Sequence, residues 1–466
     1  MFRQNSQILT AAQMRAAEAA LIAGGISVDE LMRRAGQGAA EWVWRIGGGR
    51  SVSVLTGPGN NGGDGWVIAE AIRQRGGQVG VIAAHEPATD AARNARAAYQ
   101  GQVLGRDADA HGEVFVDCLF GTGLTRALSG DDTALLARLA ASHHKRVAVD
   151  LPSGIDSDLG LPLGRGLPAF DLTVALGAWK FAHFLEPAAS MMGALRLVEI
   201  GVESIAGPAR LIGKPCLSPP PVDAHKYTRG LLGVVAGAMP GAAELACRAA
   251  QGAGAGYVKL FAPQGLAVPG DLVCKSQPLP DALSDSRIAA LLVGPGLGRD
   301  GAARERLALV LAEPCPAVID ADALVLLGAR QLSERSAPLI ATPHDGELFA
   351  LERAFGLDGT GSKVERALGL AEASGMVVVA KGPDTVVAAP DGRVALAARA
   401  SSWLSTAGTG DVLAGTMASR LASGTLPFDA ACQAVWLHGE AARLCGAAFS
   451  AGQLADAIRL ALSSCL

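Results

Sequence analysis

Asp117, Asp150 and Asp411 stand where acids do chemistry rather than solvation. "VFVDC" and "VAVD" read as apolar strands that end on a carboxylate, and "STAGTGDVLAG" places Asp411 just behind Gly408 and Gly410 at the start of a helical pattern. An acid beyond a strand's carboxyl end faces a ligand rather than the core. Glycines that turn backbone N–H groups inward at a helix start make an anion hole for a transferring phosphoryl group, and Asp411 at its lip can take a proton from an attacking hydroxyl. Plainer roles exist for both kinds of acid. Asp150, before Leu151-Pro152, can close a strand-end turn, and Asp411 can be a first-turn acid that complements the helix dipole by about 0.3–1 kcal/mol.

Glycine-rich loops flank these acids. "SVSVLTGPGNNGGDGWVIAEAIRQRG" (51–76) holds five glycines between Gly57 and Gly65, then a helical face of Val67, Ile68, Ala71 and Ile72. Strand, glycine loop and helix is the setting for a phosphate on backbone N–H groups. The loop matches neither G-x-G-x-x-G nor the Lys-bearing phosphate loop, and carries Asn60, Asn61 and Asp64 instead. "VDCLFGTGLTR" (116–126) and "VAVDLPSGID" (147–156) are two more polar, glycine-bearing strand ends. A single G-x-G serves a turn as readily as a ligand, and Asn61 can be a helix cap. The coincidence of three such loops in one sheet points to a binding site.

The second half repeats the arrangement in "VVAGAMPGAAELACRAAQGAGAGYVKL" (234–260), "LLVGPGLG" (291–298), "AVIDADAL" (317–324) and "LIATPHDGEL" (339–348). "VVVAKGPDTVVAAPDGRVAL" (377–396) predicts a strand and then a hairpin turning at Pro390-Asp391-Gly392. His344 after a strand is as readily a structural residue as a catalytic one, and Asp320 and Asp322 can simply close a strand end.

The apolar runs Val52–Leu55, Val79–Ala83, Val114–Cys118, Arg146–Val149 and Leu172–Leu176 alternate with helical patterns, which predicts a parallel sheet wound by right-handed crossovers. The length of 466 residues exceeds a single core. "GKPCLSPPPVDAH" (213–225) has four prolines and no apolar periodicity, so it reads as a linker. Domains of 1–213 and 225–466, joined by 214–224, are expected. Hydrophobic residues make up 50%, charged residues 18%, and the net charge is −4, which leaves no basic excess for nucleic acid. The eight cysteines form no C-x-x-C pair and read as reduced thiols of a cytoplasmic protein. The N-terminal "MFRQNSQILTAAQMRAAEAALIAGG" has the pattern of an amphipathic helix rather than a signal peptide, and no run is long enough to span a membrane.

"GPGNNGGDG", "GTGLTR" and "VDLPSGID" together resemble the epimerase domain of the bifunctional NAD(P)H-hydrate repair enzymes, across essentially the whole first half. Those enzymes act on nicotinamide dinucleotides damaged by addition of water to the dihydropyridine ring. The resemblance implies a Rossmann-like doubly wound sheet. It also implies that Asn60, Asn61, Gly62, Gly63, Asp64, Gly121, Thr122, Gly123, Leu124, Thr125 and Arg126 bind the hydrated dinucleotide. Asp150 would bind it too and handle the proton of epimerisation, and Asn61, Asp117 and Ser153 would hold K+. The acid-bearing loop then makes sense. A hard cation takes oxygen ligands, which Asn and Asp supply and a lysine would repel.

"HKYTRG", "GPGLG", "DADAL", "TPHDGE", "KG" and "GTGDVLAG" resemble, in order, the ADP/ATP-dependent dehydratase domain of the same enzymes, a ribokinase-like α/β fold. The resemblance implies Gly298, His344 and Asp411 on the hydrated dinucleotide, with Asp411 as catalytic base. Lys381, Gly382, Pro383, Asp384, Thr385 and Gly410 would bind ADP, or ATP in its place. Asp345 stands where the family usually has proline, and "SSWLSTAGTGD" lacks the usual lead-in. Transfer of phosphate from ADP to the hydrate's hydroxyl makes a good leaving group, and its elimination restores the dihydropyridine. Mg2+ is implied by phosphoryl transfer, with Glu347 as candidate ligand. The expected partners are small molecules, with no nucleic acid or membrane, in a homo-oligomer. Two rivals are a kinase for a sugar or vitamin alcohol and a non-catalytic N-terminal scaffold. The fused "GNNGGDG" domain argues against the first, and the intact Asp117, Asp150 and Ser153 against the second.

Overall fold

The computed structural model describes residues 6–207, 209–262 and 266–466, which form two compact units dividing at Ala209/Arg210. In the first unit, strands β1 (Val52–Thr56), β2 (Val79–Ala83), β3 (Gln102–Leu104), β4 (Gly112–Cys118), β5 (His143–Val149), β6 (Leu172–Leu176) and β7 (Ala194–Val198) form a seven-stranded sheet in the order β3-β2-β1-β4-β5-β6-β7. Every pairing in it is parallel. This is the doubly wound topology: strand order reverses between β1 and β4, which opens a crevice at their carboxyl ends. The central strands are buried on both faces, which explains their unbroken apolar runs. Val54, Val116, Val147 and Val174 join Ile68 and Ile72 of the helix Asn60–Gln74 in one core.

The N-terminal helical pattern is interrupted among the described residues. Gln7–Leu9 is a buried strand paired in parallel with Trp179–Lys180, and the helix begins after it, at Ala11–Ala23. Thr10 caps that helix in a reciprocal box with Gln13.

In the second unit, β8 (Ala209–Leu211), β9 (Leu231–Val235), β10 (Tyr257–Phe261), β11 (Val273–Lys275), β12 (Ile288–Val293), β13 (Ala317–Ile319), β14 (Leu339–Ala341), β15 (Val377–Ala380), β16 (Val386–Ala388) and β17 (Val394–Leu396) run in the order β11-β10-β9-β12-β13-β14-β15-β16-β17-β8. The pairings are parallel except β15–β16 and β16–β17, where the hairpin turns through Gly392 at φ +86. Strand order again reverses beside β9, between it and β12. There Met239 N–H donates to Gly296 O (2.9 Å) and Ala238 N–H to Leu297 O (3.3 Å), so two strand-end loops share main-chain bonds. The start of the Pro-rich stretch belongs to this unit: Ile212 N–H reaches Leu396 O and Leu217 N–H reaches Cys465 O. Among the described residues no helix is long and apolar enough to cross a membrane.

Candidate active sites

At the crevice of the first unit, the helix Asn60–Gln74 leaves the glycine loop after β1. Its glycines are packing requirements. A Cβ on Gly62 would lie 2.0 Å from Gly57 O, and one on Gly63 would lie 2.4 Å from Met32 Cε. The tight turn leaves the first-turn N–H groups at the crevice without helical partners. Asn61 brings a carboxamide whose oxygen and nitrogen are both buried and without a hydrogen bond. Such a group costs roughly 1–3 kcal/mol if it stays unsatisfied. Asn60 is engaged instead by Thr89 Oγ1 (2.8 Å).

Asp117, next to last in β4, is fully buried. Ser153 N–H (2.9 Å) donates to Oδ2, and Ser153 Oγ (2.7 Å) and Leu119 N–H (3.1 Å) donate to Oδ1. Burial pushes its carboxyl up to about 6, because no ammonium or guanidinium pairs with it among the described residues.

Asp150, past the end of β5, has φ +66, a left-handed backbone that an aspartate seldom adopts. Thr122 N–H (2.9 Å) and Oγ1–H (2.6 Å) donate to its Oδ2, and Lys180 Nζ donates to Oδ1 (2.5 Å). Lys180 is 1% exposed. Burial alone would raise the Asp150 carboxyl, but Lys180 and Thr122 outweigh it and hold it at about 2. His183 Nδ1 accepts from Lys180 N–H (2.9 Å), so its Nε2 carries the proton that meets Asp150 O (2.8 Å). Burial first, then Lys180, depresses His183 to about 4. Asp64 is pushed well above the usual carboxylate range by burial and then by Asp150 and Glu18. Gly121 lies against both groups: a Cβ there would come 3.0 Å from Asp150 Oδ2 and 3.2 Å from Asn61 Cγ. Asn61, Asp64, Gly121, Thr122 and Asp150 thus converge on one crevice. Lys180 and His183 belong with them, although no motif pointed to either.

In the second unit, the helix Thr409–Ala422 starts at Gly408 (φ 92), with Asp411 in its first turn. Burial, then the nearby Asp320 charge, raises Asp411 to about 6 against the opposing pull of Lys381. Asp320 is buried and accepts from Thr342 Oγ1 (2.6 Å) and Lys381 Nζ (2.7 Å). Lys381 Nζ would stand 3.7 Å from a Cβ on Gly410, so these two residues meet over the helix start. Half-buried His438, another residue without a motif, has Nε2 2.9 Å from Thr409 O.

Several other expected residues of this unit have local partners. Asp384 is bonded to Lys363, and Thr385 Oγ1 closes a turn with Gly382. Gly298 N–H donates to Asp322 Oδ2 (3.0 Å). His344 is a helix cap: its Nδ1 accepts from Gly346 N–H (3.0 Å) and Glu347 N–H (3.2 Å), while Glu347 Oε2 accepts from His344 N–H (2.9 Å). Asp345 is the first residue of that helix, where proline and acids are both favourable, and it lies 3.5 Å from Lys363 Nζ. The exchange of proline for Asp345 therefore keeps the helix start and pairs the added charge. Among the described residues no three His, Cys, Asp or Glu side chains gather into a metal cage.

Residues 28–182 match the family model described as YjeF-related protein N-terminus, and residues 232–463 match the model described as NAD(P)H-hydrate dehydratase. A bifunctional NAD(P)H-hydrate repair enzyme of Gloeobacter violaceus is 35% identical, covering 93% of this chain and 92% of its own. The chain belongs to the bifunctional NAD(P)H-hydrate repair enzymes. A Mycobacterium leprae member is 34% identical over 97% of this chain and 98% of its own. An ADP/ATP-dependent NAD(P)H-hydrate dehydratase from Bacillus subtilis, co-crystallised with ATP/Mg2+, is 29% identical and covers 54% of this chain and 95% of its own, at a TM-score of 0.48. Membership makes the first unit the epimerase and the second the ADP-dependent dehydratase, in Rossmann-like and ribokinase-like folds, and disfavours the kinase and scaffold readings.

Proposed function

We propose that the Asn61–Gly121–Asp150 crevice performs the epimerisation and that the Asp320–Lys381–Asp411 cluster performs the dehydration. The carrying observation is an acid with a fitting charge at each strand-end crevice. In the first unit, Asn60 to Asp64 and Gly121 to Arg126 line the hydrated dinucleotide. Asp150, an ionised carboxylate, takes the proton of the hydroxyl on the hydrated ring carbon. That carbon is bonded to the ring nitrogen, so the C–N bond opens to an aldehyde as the nitrogen takes up a proton. Reclosure on the other face returns both protons and inverts the centre. Asp64, whose carboxyl burial pushes well above the usual carboxylate range, is the neighbouring acid for the nitrogen's proton.

The residues around Asp117 fit potassium: a buried carboxylate without a counter-ion, the Ser153 hydroxyl and the unpartnered Asn61 oxygen. Such an ion would supply positive charge to offset an anionic substrate.

In the second unit, Asp411 takes the hydroxyl proton as the phosphoryl group passes from ADP, with Lys381 and the N–H groups beside Gly410 facing the phosphates. Gly382 to Thr385 border the nucleotide, while Gly298 and the open side of His344 border the hydrate. With no carboxylate cage among the described residues, magnesium would be held chiefly by the nucleotide's phosphates and water, with Glu347 as the nearby acid. The eight free thiols suit a reducing cytoplasm, and light scattering tests for the expected homo-oligomer. The function is tested by incubating the protein with purified hydrate epimers, with and without ADP. Interconversion without ADP and dihydropyridine formation with it are expected; formation of a stable phosphorylated product would instead favour a kinase.

A further inference from the structure

Lys180 lies in "LGAWKFAHF", an apolar stretch that carries none of the site motifs. Its ammonium is removed from water, and a buried ion pair is no better for stability than a well-packed apolar pair, so its presence calls for another explanation. Its segment grips Asp150 at both ends. Lys180 Nζ holds side-chain Oδ1, with Leu176 O (2.7 Å) as its second acceptor, and His183 holds the main-chain carbonyl. Lys180 N–H in turn donates to His183 Nδ1, so one short turn fixes both the strained backbone and the carboxylate plane. The two carboxylate oxygens are thereby divided. Oδ1 faces the buried ammonium, and Oδ2 faces Thr122 and the gap beside Gly121. The other acids near Asp150 are Asp64 and Glu18, and the cation bonded to Asp150 is Lys180.

We propose that Lys180 is a positioning residue for epimerisation, acting through Asp150 by fixing its carboxylate with Oδ2 toward the substrate. The proposal rests on the reading of Asp150 as the proton acceptor. An acceptor held in the reacting orientation gains rate without gaining substrate affinity. Lys180 therefore has its effect on kcat, and has none once the Asp150 carboxylate is gone.

The test measures epimer interconversion without ADP in full-length K180M, D150N and K180M/D150N. K180M is expected to lower kcat by about 100-fold with KM within about threefold of wild type, and the double variant to be no slower than D150N. A raised KM with little change in kcat would mean that Lys180 only supports the Gly121–Arg126 loop and would overturn the proposal. Losses that multiply in the double variant would overturn it as well. If K180M fails to fold, D150N and the double variant, which leave no buried carboxylate unpaired at this position, still supply the deciding comparison. Unimpaired epimerisation by D150N would instead remove the reading on which the proposal rests.

Discussion

Asp117 and Asp150 lie at the ends of neighbouring parallel strands yet have opposite charge environments. Asp150 is bonded to Lys180 and held at about 2, whereas Asp117, with only neutral donors, is pushed up to about 6. One sheet edge thus presents an ion-paired carboxylate beside one that has no counter-ion among the described residues. The same layout recurs in the second unit, where Lys381 is bonded to Asp320 while Asp411 is raised to about 6.

Asp117 should make stability depend on pH and, through the proposed site, on potassium. Below its ordinary value of 3.8 both folded and unfolded states hold the proton, and between 3.8 and about 6 the folded state alone does. Raising pH through that window therefore removes stability, by up to about 3 kcal/mol. Wild type in choline chloride should lose stability relative to D117N between these pH values, and potassium chloride should restore it. Thermal melts with the same slope in D117N, or with no response to potassium, would contradict the site.

Gly121→Ala should impair epimerisation selectively. The added methyl would stand 3.0 Å from Asp150 Oδ2, tighter than side chains normally pack. A loss of about tenfold or more is expected, as for a misplaced reacting group. Dehydration of the accepted epimer should be unchanged; equal losses in both activities would point to misfolding.

His344 should separate capping from binding. His344→Ala should cost about 1 kcal/mol through the lost cap, and His344→Asn should recover it. If the imidazole also touches the hydrate, KM for the accepted epimer will stay raised in His344→Asn. Full recovery of KM would make His344 a cap alone.

The strand-end acids and glycine loops were legible because apolar runs followed by polar glycine turns have few other uses in a parallel sheet. Lys180 and His183 were not. Their partner Asp150 lies some thirty positions earlier, so the contact exists only once β5 and β6 pair. The available signal was a lysine within an otherwise apolar stretch directly after a strand. His344 shows the converse: its position was legible, but its capping role required the Gly346 and Glu347 N–H geometry. At the N-terminus, Gln7–Leu9 was merged into the helical pattern because Thr10, the capping residue that ends the strand, gives no break in periodicity.

Asp411→Asn should abolish ADP-dependent dehydration, by about 10²–10⁴-fold, while leaving epimer interconversion near wild type. As the proposed base, Asp411 would work deprotonated; with its carboxyl raised to about 6, wild-type dehydration should rise with pH through that value. A flat profile from pH 5 to 8, or retention of more than about a tenth of the rate, would reduce Asp411 to a first-turn helix acid.

The division of labour is tested most directly by full-length Asp150→Asn given a mixture of both hydrate epimers and ADP, following recovery of dihydronicotinamide absorbance. Wild type should convert the mixture completely. Asp150→Asn should convert the accepted epimer at the wild-type rate and then stall, apart from slow spontaneous interconversion, until catalytic Asp411→Asn protein is added to supply the epimerase. Complete, single-phase conversion by Asp150→Asn alone would contradict the account.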